Sequence, residues 1–195
     1  MSSSTWHTVT NVALAACWGT FLVVWVVGAI YNARRSPAVR RRGLRSPWIV
    51  AGVAIVVVFR LVPNADWNHV TLHSPSARWA GLAILVASTA FTLWARVRLG
   101  LMWSSDVVAR AGHQLRTDGP YSIVRHPIYT GILGMLLGSA LLDGLGRWTF
   151  ALVAGTALVL FKVRAEERLM SEEFPDDYPQ YRRRVPALVP LLRRR

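Results

Sequence analysis

Between Asn11 and Tyr31 the chain carries no charged side chain, and the pattern recurs: Trp79 to Ala95 has none, and Pro47 to Pro63 has only Arg60. Runs of this length approach the roughly 20 apolar residues that cross a hydrocarbon core at about 1.5 Å of rise per residue. A soluble domain disperses its apolar residues at helix or strand period instead of massing them in blocks. Two shorter apolar stretches, Ile128 to Leu142 and Trp148 to Val163, are joined by a tip from Asp143 to Arg147. The blocks predict an all-α, polytopic integral membrane protein of about five transmembrane helices. They exclude soluble globular, fibrous and disordered classes.

The first block lacks a basic start and is too long for a secretory h-region, so it reads as a retained span. Cys17, the one cysteine, lies inside it. A single thiol leaves no disulfide within the chain and no multi-thiolate metal site.

Charge gives the orientation. Lys+Arg number 23 against 10 Asp+Glu, a formal charge of +13, and Lys162 is the one lysine. Arg34, Arg35, Arg40, Arg41, Arg42 and Arg45 fill the link after the first block, whereas Asp66 to Ala77 holds no Lys or Arg. Basic residues return after the third block and in the tail from Arg164 onward. Basic links face the cytoplasm, so the N-terminus is expected outside and the C-terminus inside a multi-pass protein of the cell membrane. Anionic lipid head groups account for arginines that flank spans, and no nucleic-acid partner is expected.

The two short stretches are flanked, on the cytoplasmic side, by the most unusual sequence in the chain. Residues 112–129 read GHQLRTDGPYSIVRHPIY, and the other flank runs from Val159 as VLFKVRAEERLMSEEFPDDYPQYRRRVP. Pro127 suits the first position of a helix, which puts His126 near the N-cap with Arg125 just outside. A helix start favours an anionic group, and Arg125 adds a planar fork of donors. The plain alternative is that Arg125 and His126 anchor a span at the head groups and Tyr129 belongs to an aromatic belt. In the second flank Lys162, Glu166 and Met170 share a helix face, with Glu167 one position around. Here the alternative is that Glu166 and Glu167 pair with Lys162, Arg164 or Arg168.

GPYSIVRHPIYTG followed by EERLMSEEFPDDYPQYRRRVP resembles the isoprenylcysteine carboxyl methyltransferase family, over roughly Arg96 to Pro190. The resemblance implies an integral membrane enzyme that moves a methyl group from S-adenosylmethionine to a lipophilic acceptor entering from the bilayer. It implies a cofactor pocket from His113, Gln114, Leu115, Arg116, Tyr121, His126, Pro127, Ile128, Tyr129 and Glu166. It places a basic residue beside the acceptor, Lys162 or Arg164, with Arg125 and Glu167 as further catalytic candidates. A carboxylate or thiolate acceptor needs no base; for an amine, Glu167 or His126 is the candidate. The division implied is residues 1–95 as three supporting spans and residues 96–195 as the methyltransferase-like region. No GxGxxG turn after a strand and no metal-ligand cluster occurs, so no metal is expected. Two rival readings are a membrane reductase using NADPH and a non-catalytic membrane scaffold.

Overall fold

The computed structural model describes residues 3–35, 39–42, 74–102, 108–110 and 115–190. The expected span from Pro47 to Pro63, with Arg60, and the site candidates His113 and Gln114 lie outside the described residues. In chain order the elements are helix α1 (Ser3–Arg35), strand β1 (Val39–Arg42), helix α2 (Pro75–Leu99), strand β2 (Val108–Arg110), helices α3 (Pro127–Asp143) and α4 (Gly146–Glu173), and a short helix α5 (Asp177–Arg184). A 3-10 turn, Gly119–Ser122, precedes α3.

Each described apolar block is helical, and the helices outrun the blocks. No proline interrupts Gly146 to Glu173, so α4 runs for 28 residues in all and passes the end of its apolar stretch at Val163. It stops at Phe174, where Pro175 follows. By length and composition α1, α2 and α4 can each cross a membrane, whereas α3, at 17 residues, falls among the shorter apolar helices. The all-α expectation needs one amendment. The basic link after α1 pairs β1 antiparallel with β2, with Val39 opposite Arg110 and Arg42 opposite Val108.

The closest packing is between α2 and α3, and small residues permit it. A Cβ at Gly138 of α3 would lie 2.6 Å from the Leu85 nitrogen, and one at Gly81 of α2 would lie 2.6 Å from the Leu142 nitrogen. Only backbones without side chains at these points approach so closely, as at many helix contacts in lipid. Leu85, Met135 and Leu142 are fully buried between them, with Trp6 of α1 against the same cluster. α1 is tied in at mid-length, where Trp18 Nε1–H donates to Ser139 Oγ at 3.1 Å, and at its end, where Asn32 donates to the Gly100 carbonyl at 3.2 Å.

The α3–α4 connection is tight. Gly144 caps α3 in the left-handed region at φ 95°, and Trp148 Nε1–H donates to Asp143 Oδ2 at 2.9 Å. An antiparallel hairpin so closed returns the far end of α4 to the start of α3, 37–42 residues apart in sequence.

Candidate active site

Pro127 occupies the first position of α3 and His126 is its N-cap, with φ −122° and ψ 63°. The His126 side chain does not cap the helix. It turns toward α4 instead, and there the start of α3 meets the stretch from Lys162 to Glu167.

The contacts are dense and almost dry. Arg125 Nε donates to Glu167 Oε1 at 3.1 Å, and a terminal guanidinium nitrogen donates to the same oxygen; both side chains are largely buried. Tyr129 donates its hydroxyl to Glu166 Oε1 at 2.5 Å. Lys162 Nζ stands 3.6 Å from that oxygen and 5.5 Å from the centre of the Tyr129 ring. His126 bridges the carboxylates, with Nδ1 at 3.4 Å from Glu166 Oε2 and Nε2 at 3.5 Å from Glu167 Oε1. Its ring stacks on Tyr129 at 5.9 Å. The Nε2 contact is an ion-pair distance without hydrogen-bond geometry, so this buried nitrogen has no hydrogen-bond partner among the described residues.

Burial alone would lower the His126 pKa, but its interactions with the Glu166 and Glu167 carboxylates outweigh it and the imidazole pKa is raised. Protonation makes both ring nitrogens donors, which suits a ring held between two carboxylates. Burial, with the field of Glu166 added, pushes the Tyr121 phenol well above its usual range. Its hydroxyl reaches the Ala95 carbonyl at 3.4 Å.

A third layer closes the site from the C-terminal side. The segment after α5 lies along the approach to α3: the Arg125 N–H donates to Pro186 O at 2.9 Å and the His126 N–H to Ala187 O at 3.0 Å. Thr130 Oγ1 donates to Leu188 O at 2.7 Å, and Arg125 also donates to the carbonyls of Arg182 and Val185. These carbonyls take backbone donors that the sequence left open to an anion. Tyr181 on α5 donates to the Tyr121 carbonyl at 2.5 Å, and Arg182 Nε stands 3.6 Å from Glu167 Oε2.

Of the residues singled out from sequence, Arg125, His126, Tyr129, Lys162, Glu166 and Glu167 come together at one place. Pro127 and Ile128 are buried as the first turn of α3, and Tyr121 is buried beside it. Leu115 is half-buried and Arg116 exposed in the loop that precedes the 3-10 turn. Arg164 is exposed, on the side of α4 away from the cluster, so of the two basic candidates it is Lys162 that reaches the site. Glu166 and Glu167 do pair, but chiefly with residues of the α3 start. Tyr178, Tyr181 and the carbonyls of residues 182–188 were not singled out. The available signal was two tyrosines one turn apart in a charge-rich octet, DYPQYRRR.

A model of the isoprenylcysteine carboxyl methyltransferase (ICMT) family matches residues 80–172. Over those residues the chain is similar to the ICMT family. That stretch contains α3, most of α2, most of α4 and every member of the α3–α4 cluster. Relatives of the chain include a protein-S-isoprenylcysteine O-methyltransferase of Schizosaccharomyces pombe, 36% identical over 50% of this chain and 43% of that protein. A nickel-cobalt-cadmium resistance protein of Alcaligenes xylosoxydans xylosoxydans is 28% identical over 72% of this chain and 62% of its own length. A methanethiol S-methyltransferase 2 of Bradyrhizobium diazoefficiens is 36% identical over 66% of this chain and 48% of its own length. The chain thus spans about half the length of these curated relatives, and the ICMT match stops before α5.

Proposed function

We propose that the chain is an integral membrane methyltransferase that uses S-adenosylmethionine and acts on a lipophilic acceptor at the cytoplasmic face. The observation that carries this reading is the buried junction of Arg125, His126 and Tyr129 with Lys162, Glu166 and Glu167 inside the ICMT-matched region. When bound, S-adenosylmethionine supplies a methyl group on a cationic sulfur. The junction fits such a group: Tyr121 and Tyr129 offer ring faces and Glu166 a carboxylate to its cationic parts, while Arg125 and the unpartnered His126 Nε2 suit its carboxylate. Methyl transfer is an in-line displacement, so the chain's work is to hold both reactants and exclude water.

The same contacts bear on the acceptor. Glu167 is gripped by Arg125 and flanked by Arg182 and His126; Glu166 is held by Tyr129, Lys162 and His126. Neither carboxylate is a free base, and the same two carboxylates favour the charged form of His126. An acceptor that arrives as a thiolate or carboxylate, guided by Lys162, suits this site; an ammonium that must first lose a proton does not. The reading includes five spans with the N-terminus outside, residues 1–95 as support and residues 96–195 as the catalytic region, in the cell membrane.

Thermal unfolding of detergent-solubilised protein tests the reading. S-adenosylhomocysteine is expected to raise the midpoint and NADPH to leave it unchanged. Protection by NADPH alone turns the assignment toward a reductase, and protection by neither toward a non-catalytic protein.

A further inference from the structure

Among the described residues, two polar atoms in the site are buried and lack a hydrogen-bond partner: His126 Nε2 and the hydroxyl of Tyr178. Tyr178 is 2% exposed, on α5, and its hydroxyl lies in the fields of Glu167, Arg125 and Arg182. It faces the Arg125 guanidinium without reaching it in good hydrogen-bond geometry. Leaving a buried hydroxyl unsatisfied costs a fold more than replacing it with an apolar group of the same shape. A neighbouring tyrosine on the same helix, Tyr181, has its hydroxyl fully engaged with the Tyr121 carbonyl. Glu167 links the two unpartnered atoms: His126 Nε2 stands 3.5 Å from its Oε1, and its field reaches the Tyr178 hydroxyl on α5. The cations Arg125, Lys162 and Arg182 outnumber the two carboxylates there, so the group that fits between them is an anion.

We propose that Tyr178 is a further ligand-binding residue of this site, its hydroxyl donating, with His126 Nε2–H, to the carboxylate of the bound cofactor. The inference rests on the methyltransferase reading above. It adds a residue from α5, beyond the stretch that the family model matches. Retention of an unsatisfied hydroxyl in the ligand-free protein is then a stability cost tolerated for binding.

Titration calorimetry on the full chain in detergent tests it, with two probes: S-adenosylhomocysteine, and S-adenosyl-3-thiopropylamine, the same molecule without the carboxylate. Tyr178→Phe is expected to weaken S-adenosylhomocysteine by at least about tenfold, the loss of one charge-assisted hydrogen bond. Affinity for the decarboxylated probe is expected to stay within about twofold, and the unfolding midpoint of the ligand-free variant to match or exceed that of the parent. Equal weakening of both probes, or no weakening, overturns the proposal. So does a variant that fails to fold, because the hydroxyl would then serve the fold. If the parent protein binds neither probe, the methyltransferase reading falls first.

Discussion

Tyr129 donates its hydroxyl to Glu166 across the α3–α4 hairpin at 2.5 Å, joining the first turn of one helix to the C-terminal part of the next. The bond fixes the carboxylate at the Tyr129 hydroxyl, with Lys162 on the same oxygen. A carboxylate so placed can meet a cationic ligand with no rearrangement of its own.

Glu166→Ala is therefore expected to weaken cofactor binding strongly while the protein still inserts. Loss of one hydrogen bond to a charged group is worth about 1.5–3 kcal/mol, roughly a 10- to 100-fold rise in Kd. Calorimetry with S-adenosylhomocysteine reads it, and an unchanged Kd removes Glu166 from the site.

Arg125 and Glu167 form a largely buried ion pair. Arg125→Ala leaves a carboxylate in a dry place, and breaking a buried pair from one side costs about 3–5 kcal/mol. Because Arg125 also holds carbonyls of Arg182 and Val185, the loss should appear as a lower unfolding midpoint and as proteolysis near residue 185. The double variant Arg125→Ala/Glu167→Ala is expected to recover part of the midpoint. An additive result would show that the pair is not coupled.

Lys162 and Arg164 are two residues apart and point to different surroundings. With hexanethiol as acceptor and S-adenosylmethionine in excess, Lys162→Ala is expected to lower kcat/KM for the thiol by about tenfold, of the order of one lost charge-assisted contact. Its S-adenosylhomocysteine affinity should be spared. Arg164→Ala should change neither quantity. A loss of cofactor affinity in Lys162→Ala would mean that the lysine serves the other reactant.

The raised pKa of His126 makes the junction sensitive to pH. The folded protein holds this proton more tightly than the unfolded chain, in which histidine titrates near 6.5. Its stabilisation is then complete below about pH 6.5, declines as pH rises through the higher folded value, and is gone above it. The unfolding midpoint is expected to fall from pH 6.5 upward in the parent and to be flatter in His126→Gln. Parallel curves would show that the two carboxylates do not hold a charged imidazole.

Much of this site could be read along the chain because its halves are local motifs. Pro127 announced a helix start, which put His126 at the N-cap, and the proline after Phe174 announced the end of α4. The i, i+4 spacing placed Lys162 with Glu166. What spacing could not give was rotation. Whether Lys162 or Arg164 faces α3 depends on how α4 turns against its neighbour, which the nearly all-apolar stretch from Trp148 to Val163 leaves open because any side of it suits lipid. Partners from far along the chain were equally hidden. Carbonyls at residues 185–188 carry no side-chain signature, so their hold on Arg125 and His126 had no trace in residue type. The β1–β2 ribbon escaped notice for a related reason: arginine-rich links read as topology signals, and backbone pairing between them leaves no period.

The contacts that close the site also set an order in time. Arg125 waits for Val185, and the Tyr121 carbonyl for Tyr181, each 60 residues downstream. At about 5–20 residues per second, that separation is roughly 3–12 s of synthesis. Throughout that interval the start of α3 has been made but its covering carbonyls have not. The nascent chain must commit its apolar helices to the bilayer before its catalytic face can be assembled, which makes closure of the site a late event in biogenesis.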